Sequence, residues 1–259
     1  MKDTRTGRWL LREPRPDAEA RLICFPYAGA GASSLRRWPR RIGAMEVCAV
    51  QPPGRENRFR EPPYHRFDDF AADAADGLAP YLDRPYALFG HCMGALLACA
   101  TLVRLEERGH RLPDRLYVSS SLVPHRGFYG LFQPSMTDEQ LADELRGIVR
   151  SLGEPEPLPE LLPMAIAVLR NDVDMCFHHR PPGPRPLPCP ITAIGWRDDP
   201  YVPAREMLEW DGYGETRHEV LAGGPWTFLS APPELIDLVD RDAPAVAATA
   251  PGTREGAAW

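Results

Sequence analysis

The chain is predicted to be an α/β protein: a mostly parallel sheet with helices on both faces. Three observations predict it. Short apolar runs of strand length alternate with amphipathic stretches, a glycine-bracketed turn ("GHCMG", 90–94) joins one run to an apolar-periodic stretch, and residues 124–186 interrupt the alternation with helical patterns of their own. At 259 residues the chain can bury one good-sized core, so a single domain over 1–242 is expected.

The runs "RLICF" (21–25), "VCAV" (47–50), "YALF" (86–89), "RLYVSS" (115–120), "ITAI" (191–194) and "HEVL" (218–221) read as strands, being short, β-branched or aromatic and bounded by turn residues. Between them, 67–82, 94–108, 203–210 and 233–240 carry helical periodicity. Within 124–186, "TDEQLADELRGIVRSLG" and "PELLPMAIAVLRNDVDMCFHH" are two further helical segments, separated by "EPEPLP" and closed by "RPPGPRPLP". An insertion after a strand, over the end where ligands bind in such sheets, is expected to form a lid; the alternative is an ordinary pair of packing helices. The alanine- and proline-rich tail, 243–259, is expected to be disordered.

A formal net charge of −6 and a pI near 5.7 offer no basic face for nucleic acid. No run of 18 apolar residues suggests a membrane span, and the charged N-terminus is no signal peptide, so a cytoplasmic protein is expected. The six cysteines lack metal-site or disulfide spacing and are expected to be mostly reduced and buried. No phosphate loop, dinucleotide fingerprint or metal motif is present, so no cofactor and no metal are expected.

Strand "YALFG", turn "HCMG" and helix "ALLACATLVRLEERG" form the strand-turn-helix context of a nucleophile elbow, with Cys92 where a serine normally stands. The alternative is a cysteine simply buried in a turn. Together with "ICFPYAGAGASS", "VQPPGRENRFREPP", "PELLPMAIAVLRNDVDM", "CPITAIGWRDDP" and "VLAGGPWTFL", this stretch resembles, in order over about residues 20–240, the type II thioesterases that accompany non-ribosomal peptide and polyketide synthases. The resemblance implies an α/β-hydrolase fold acting on acyl or aminoacyl thioesters of a carrier protein, whose phosphopantetheine arm belongs to that partner. It further implies an oxyanion hole from the backbone N–H groups of Ala28 and Met93, and a monomer. Asp199 matches the acidic triad position, with Asp198 as fallback; the alternative for either is a turn or capping residue. Tyr27, His91, Pro225 and Trp226 are the expected substrate-pocket residues, Trp226 being equally suited to core packing.

Two triad positions depart from the family. The serine is Cys92, and Pro225 stands where the family carries its histidine. Loss of that general base typically slows the reaction by ~10²–10⁴. His218 lies seven residues away along a strand, about 23 Å, out of reach. His91 is expected to pack or gate, while His178 and His179 on the lid, and less so His65 and His125, are the imidazoles left to substitute. A thiol at a helix N-terminus is expected to ionise without a base, which a serine hydroxyl would not do. Three readings follow: a Cys92 acyl-enzyme that transfers or cyclises its acyl group, a slow editing hydrolase served by a lid histidine, or a non-catalytic carrier-protein partner.

Overall fold

The computed structural model describes residues 9–127 and 129–243, so the expected disorder of the tail concerns, apart from residue 243, positions outside the described residues. Seven strands form one sheet: β1 (Ala20–Phe25), β2 (Arg41–Ile42), β3 (Met45–Ala49), β4 (Tyr86–His91), β5 (Arg115–Ser119), β6 (Ile191–Trp196) and β7 (Thr216–Leu221). Their order is β2-β3-β1-β4-β5-β6-β7, parallel throughout except for the β2–β3 pair. Strand β2 was not anticipated, because two residues with one side chain exposed carry no hydrophobic period.

Alternation along each strand builds two cores. On β1, Ile23 and Phe25 face one cluster with α1 (Phe67–Leu78) and α2 (Met93–Glu107), whereas Ala20, Leu22 and Cys24 face another with Trp38 and α5 (Pro233–Arg241). On β4, Leu88 joins the first cluster and Phe89 the second. This period of two is what makes a sheet covered on both faces. Helix α2 is buried on nearly every side from Met93 to Leu105, wedged between the sheet and α1, which explains its almost continuous apolar sequence.

The expected helix 67–82 ends at Leu78 and tightens into a 3₁₀ turn at Ala79–Tyr81, as Pro80 lacks the N–H to continue it. Residues 203–210 also wind as 3₁₀ rather than α, over Ala204–Tyr213. Between β5 and β6 the insertion contributes α3 (Asp138–Ser151) and α4 (Leu162–His178). Helix α3 opens on a capping box in which Gln140 N–H donates to Thr137 Oγ1 and Thr137 N–H donates to Gln140 Oε1. Both helices share a third apolar cluster, built around Leu141, Ile148, Ile166, Leu169 and Val173, against which Ala28 and Trp226 also pack.

β1 lies between β3 and β4, so the chain leaves it toward one side and returns on the other, creating a switch point where the loops after β1 and β4 splay apart. Ala28 follows β1 and Cys92 follows β4, with Phe25 and Gly90 in register across the pair. Helix α2 meets this point at close range: a Cβ on Gly94 would lie 2.5 Å from the Phe25 carbonyl oxygen, and one on Gly90 2.2 Å from the Gly94 carbonyl. Gly94→Ala is therefore expected to destabilise the fold by about 3 kcal/mol, read as a lower denaturant midpoint with unchanged slope.

Candidate active site

Cys92 sits at the N-cap of α2 with φ 53° and ψ −123°, a conformation in which an L-residue is held only by its surroundings. Its N–H donates to the Ser119 carbonyl at 2.9 Å and its carbonyl accepts from Ala95 N–H at 3.0 Å. Two glycines and two backbone bonds thus over-determine the elbow. The side chain projects into a cavity of about 50 Å³ lined by Ala28 and Met93 from below and by Tyr129, Leu131, Phe132, Val173, Cys176 and His179 of the insertion. That volume is well below the roughly 300 Å³ and more of a ligand-filled pocket. Ala28 N–H makes no hydrogen bond among the described residues, leaving it available as a donor beside the elbow.

The thiol is not the ready thiolate expected of a helix N-terminus. Burial pushes Cys92 up to about 11; the Met93 N–H and the Tyr129 hydroxyl favour its ionised form, and the Asp199 charge opposes it. Desolvation outweighs the helix end because enclosure removes the water that stabilises thiolate, while the helix supplies only a partial charge. At pH 7 the thiol form is therefore the favoured one. Iodoacetamide alkylation of Cys92 is accordingly expected to rise about tenfold per pH unit between 7 and 10, whereas a rate that flattens by pH 8 would mean the sulfur is not enclosed.

Asp199 is buried, and three donors engage its carboxylate. Its Oδ2 accepts from the Ser120 hydroxyl, and its Oδ1 accepts from Tyr201 N–H at 2.8 Å and Val202 N–H at 3.0 Å, capping the turn after β6. No histidine bonds to Asp199 or to Cys92 among the described residues. Asp198, the fallback, is exposed; its N–H donates to the Gly223 carbonyl at 3.0 Å, binding the 198–199 turn to the Gly223-Gly224-Pro225-Trp226 turn.

Four expected pocket residues are absent from the cavity wall around Cys92. His91 shares the Phe89 face of β4, away from the elbow, and stacks on Phe228 at 3.9 Å with its Nδ1 3.0 Å from Ser119 Oγ; burial pushes its imidazole down to about 3. Trp226, half-buried, packs on Tyr27 at 5.5 Å and joins the α5-side core to the insertion cluster. Pro225 lies half-buried in the turn beside it. Tyr27 lines a separate cavity of about 580 Å³ between the loops 27–34 and 54–63 and helix α4. That cavity is the larger one, yet it holds no elbow; its Ser33 hydroxyl donates to Glu56 and its Ser34 hydroxyl to the Gly31 carbonyl.

The other histidines separate cleanly. His178 Nδ1 engages the carbonyl of Asp174 on its own helix, His125 Nδ1 lies 3.0 Å from the Tyr213 hydroxyl, and His218 Nε2 faces Asp211 at 2.7 Å on the far end of β7. His65 borders a surface pocket that Cys92 does not line. His179 alone among the histidines lines the Cys92 cavity, stacked on Phe67 at 4.2 Å; burial pushes its imidazole down, against the pull of Asp68.

Two neighbours of Cys92 escaped the sequence reading. Tyr129, whose hydroxyl donates to Ser121 Oγ at 2.9 Å, sits in "RGFYGLF", where no period marks a position. Cys176 lies on α4 one turn beyond Asp172, a fully buried acid within an apolar stripe, and that acid was the available signal. Among the described residues no group of three His, Cys, Asp or Glu is arranged to hold a metal ion, and no helix is long and apolar enough to cross a membrane.

Known proteins fit this geometry. The chain is 35% identical over 210 residues to the linear gramicidin dehydrogenase LgrE of Brevibacillus parabrevis (79% of this chain, 80% of LgrE) and 33% identical over 215 residues to the thioesterase PikA5 of Streptomyces venezuelae (79% and 74%). The solved structure of the type II thioesterase BorB from the borrelidin biosynthetic cluster superposes with a TM-score of 0.77 at 31% identity, covering 90% of this chain and 97% of BorB. Residues 20–242 match the thioesterase domain, and with its elbow, parallel sheet and helical insertion the chain belongs to that family, on the α/β-hydrolase fold.

Proposed function

We propose that this protein accepts an acyl or aminoacyl group from a carrier-protein thioester onto Cys92 and passes it to a second acceptor, by transfer or cyclisation, in non-ribosomal peptide or polyketide biosynthesis. The pathways in its relatives' names support the setting: linear gramicidin for LgrE, borrelidin for BorB. The observation that carries the choice of transfer over hydrolysis is the pairing of Cys92 in an elbow with an Asp199 that accepts from Ser120, Tyr201 and Val202 and bonds to no histidine among the described residues.

Loading exchanges one thioester for another. The Cys92 sulfur attacks the carrier thioester carbonyl, the C–S bond to the pantetheine arm breaks, and the Cys92 proton ends on the departing thiol. The oxyanion formed on the way is held by the N–H groups of Ala28 and Met93. The Tyr129 hydroxyl, in contact with Cys92, steadies the sulfur as it ionises by turning its one proton from Ser121 Oγ to the sulfur. Because both sides of the exchange are thioesters, the acyl group stays activated, and with no imidazole bonded to Asp199 or Cys92 among the described residues its release as free acid is slow.

Hydrolysis is the second reading, favoured by the family and by His179 in the Cys92 cavity wall. Intact-mass measurement over time with a panel of acylated and aminoacylated carrier proteins decides between them. Transfer predicts an adduct that persists in buffer and disappears on adding a second carrier or an amine; hydrolysis predicts free acid with no lasting adduct, abolished in His179→Ala. No adduct and no turnover would leave carrier binding without catalysis.

A further inference from the structure

The Asp172 carboxylate on α4 is wholly buried and fully engaged. Arg55, from the loop after β3, grips it with both terminal nitrogens: Nη1 donates to Oδ2 at 2.6 Å and Nη2 to Oδ1 at 2.7 Å. Two further bonds reach the loop after β1. Gly29 N–H donates to Asp172 Oδ2 at 2.8 Å, and Arg55 Nη1 donates to the Ala30 carbonyl at 2.9 Å. One turn away, Leu169 of the same helix stands against Gly29, where an added Cβ would come within 3.1 Å of its Cδ1.

The same helix also roofs the elbow. Val173, next to Asp172, and Cys176, one turn beyond it, line the Cys92 cavity together with Ala28. Lifting α4 to admit a thioester therefore withdraws the acceptor of Gly29 N–H and strips Arg55 of its partner in a buried setting, which is strongly unfavourable. The 27–30 loop keeps its own turn, Ala30 N–H donating to the Tyr27 carbonyl at 3.1 Å with Gly29 at φ 80°, and Asp172 is the partner that ties this turn to α4.

We infer that the Arg55–Asp172 pair is a positioning device that couples closure of α4 to the pose of the 27–30 loop, so that the Ala28 N–H is aimed at the Cys92 site only when the roof is down. This builds on the acyl-enzyme reading of Cys92. It assigns the pair a role in the transition state rather than in holding substrate, since neither side chain lines the Cys92 cavity.

The test uses the full chain and two probes of Cys92: S-acetyl-N-acetylcysteamine, whose attack needs an oxyanion donor, and iodoacetamide, whose displacement does not. In Asp172→Asn, acetyl loading at saturating thioester is expected to fall about 10²-fold, while alkylation rises because the roof opens more often. A pair that merely stabilised the fold would move both rates the same way, and parallel changes would overturn the inference. Arg55→Lys keeps the charge but loses the two-pronged grip, and is expected to give the same opposed changes at smaller amplitude. Hydrogen exchange on the native protein needs no variant to fold: the amides of 27–31 and 169–178 are expected to open together, with one common denaturant dependence, and separate opening would also sink the coupling. If the native chain takes up no acetyl group, the acyl-enzyme reading fails on its own, and exchange together with alkylation still decides the coupling.

Discussion

Cys92→Ala is expected to abolish the acyl adduct outright, and Cys92→Ser to reduce loading by about 10²–10⁴, the loss that accompanies an absent general base. The serine result is the more telling. A hydroxyl at this elbow would be positioned as in any serine hydrolase, but Asp199 is capped by Ser120, Tyr201 and Val202, and no imidazole bonds to it among the described residues. The thiol, even with burial pushing it up to about 11, ionises far more readily than a hydroxyl and gives up its proton to a departing thiol of similar basicity. Intact-mass kinetics with one acylated carrier checks all three proteins. A serine variant that loads as fast as the native chain would mean that a base is at work, with His179 the first to remove.

If the proposed Cys92 adduct forms, Pro225→His is expected to shorten its lifetime in buffer by about 10²–10⁴, shifting the outcome toward hydrolysis. The turn that would carry this imidazole is already bound to the aspartate loop through the Asp198 N–H and the Gly223 carbonyl, 3.0 Å apart. An imidazole there would compete with the Ser120 hydroxyl for Asp199 and would offer a proton acceptor to water. It would also pair with the thiolate, so alkylation of Cys92 at pH 7 should accelerate in the same variant. An unchanged adduct lifetime would show that position 225 does not reach the sulfur, and the preference for transfer would then lose its argument from the missing base.

The fold was legible because its determinants are local. Strands of period two, a helix buried on all sides and two glycines four residues apart record themselves in consecutive residues, and Gly90 and Gly94 are needed for contacts as short as 2.2 and 2.5 Å. The helical insertion was legible for the same reason, and its capping box at Thr137 and Gln140 is readable letter by letter. Placement of His91 could have been argued too, since alternation from Phe89 puts it on the α5 side, but proximity to Cys92 in sequence suggested a pocket role that the sheet denies it.

By itself, then, the sequence determined the α/β class, the elbow with sulfur in it and the absence of histidine at 225, all properties of neighbouring residues. Only the tertiary structure decided whether that sulfur is ionised, what Asp199 does, and what holds the loop at Ala28. The helix N-terminus argued for a thiolate, yet enclosure by Tyr129, Val173 and Cys176 from the distant insertion decided for a thiol. Asp199 meets Ser120 across 79 positions, and Arg55 meets Asp172 across 117. Desolvation and buried ion pairing depend on which groups fold over a site, and no local pattern carries that information.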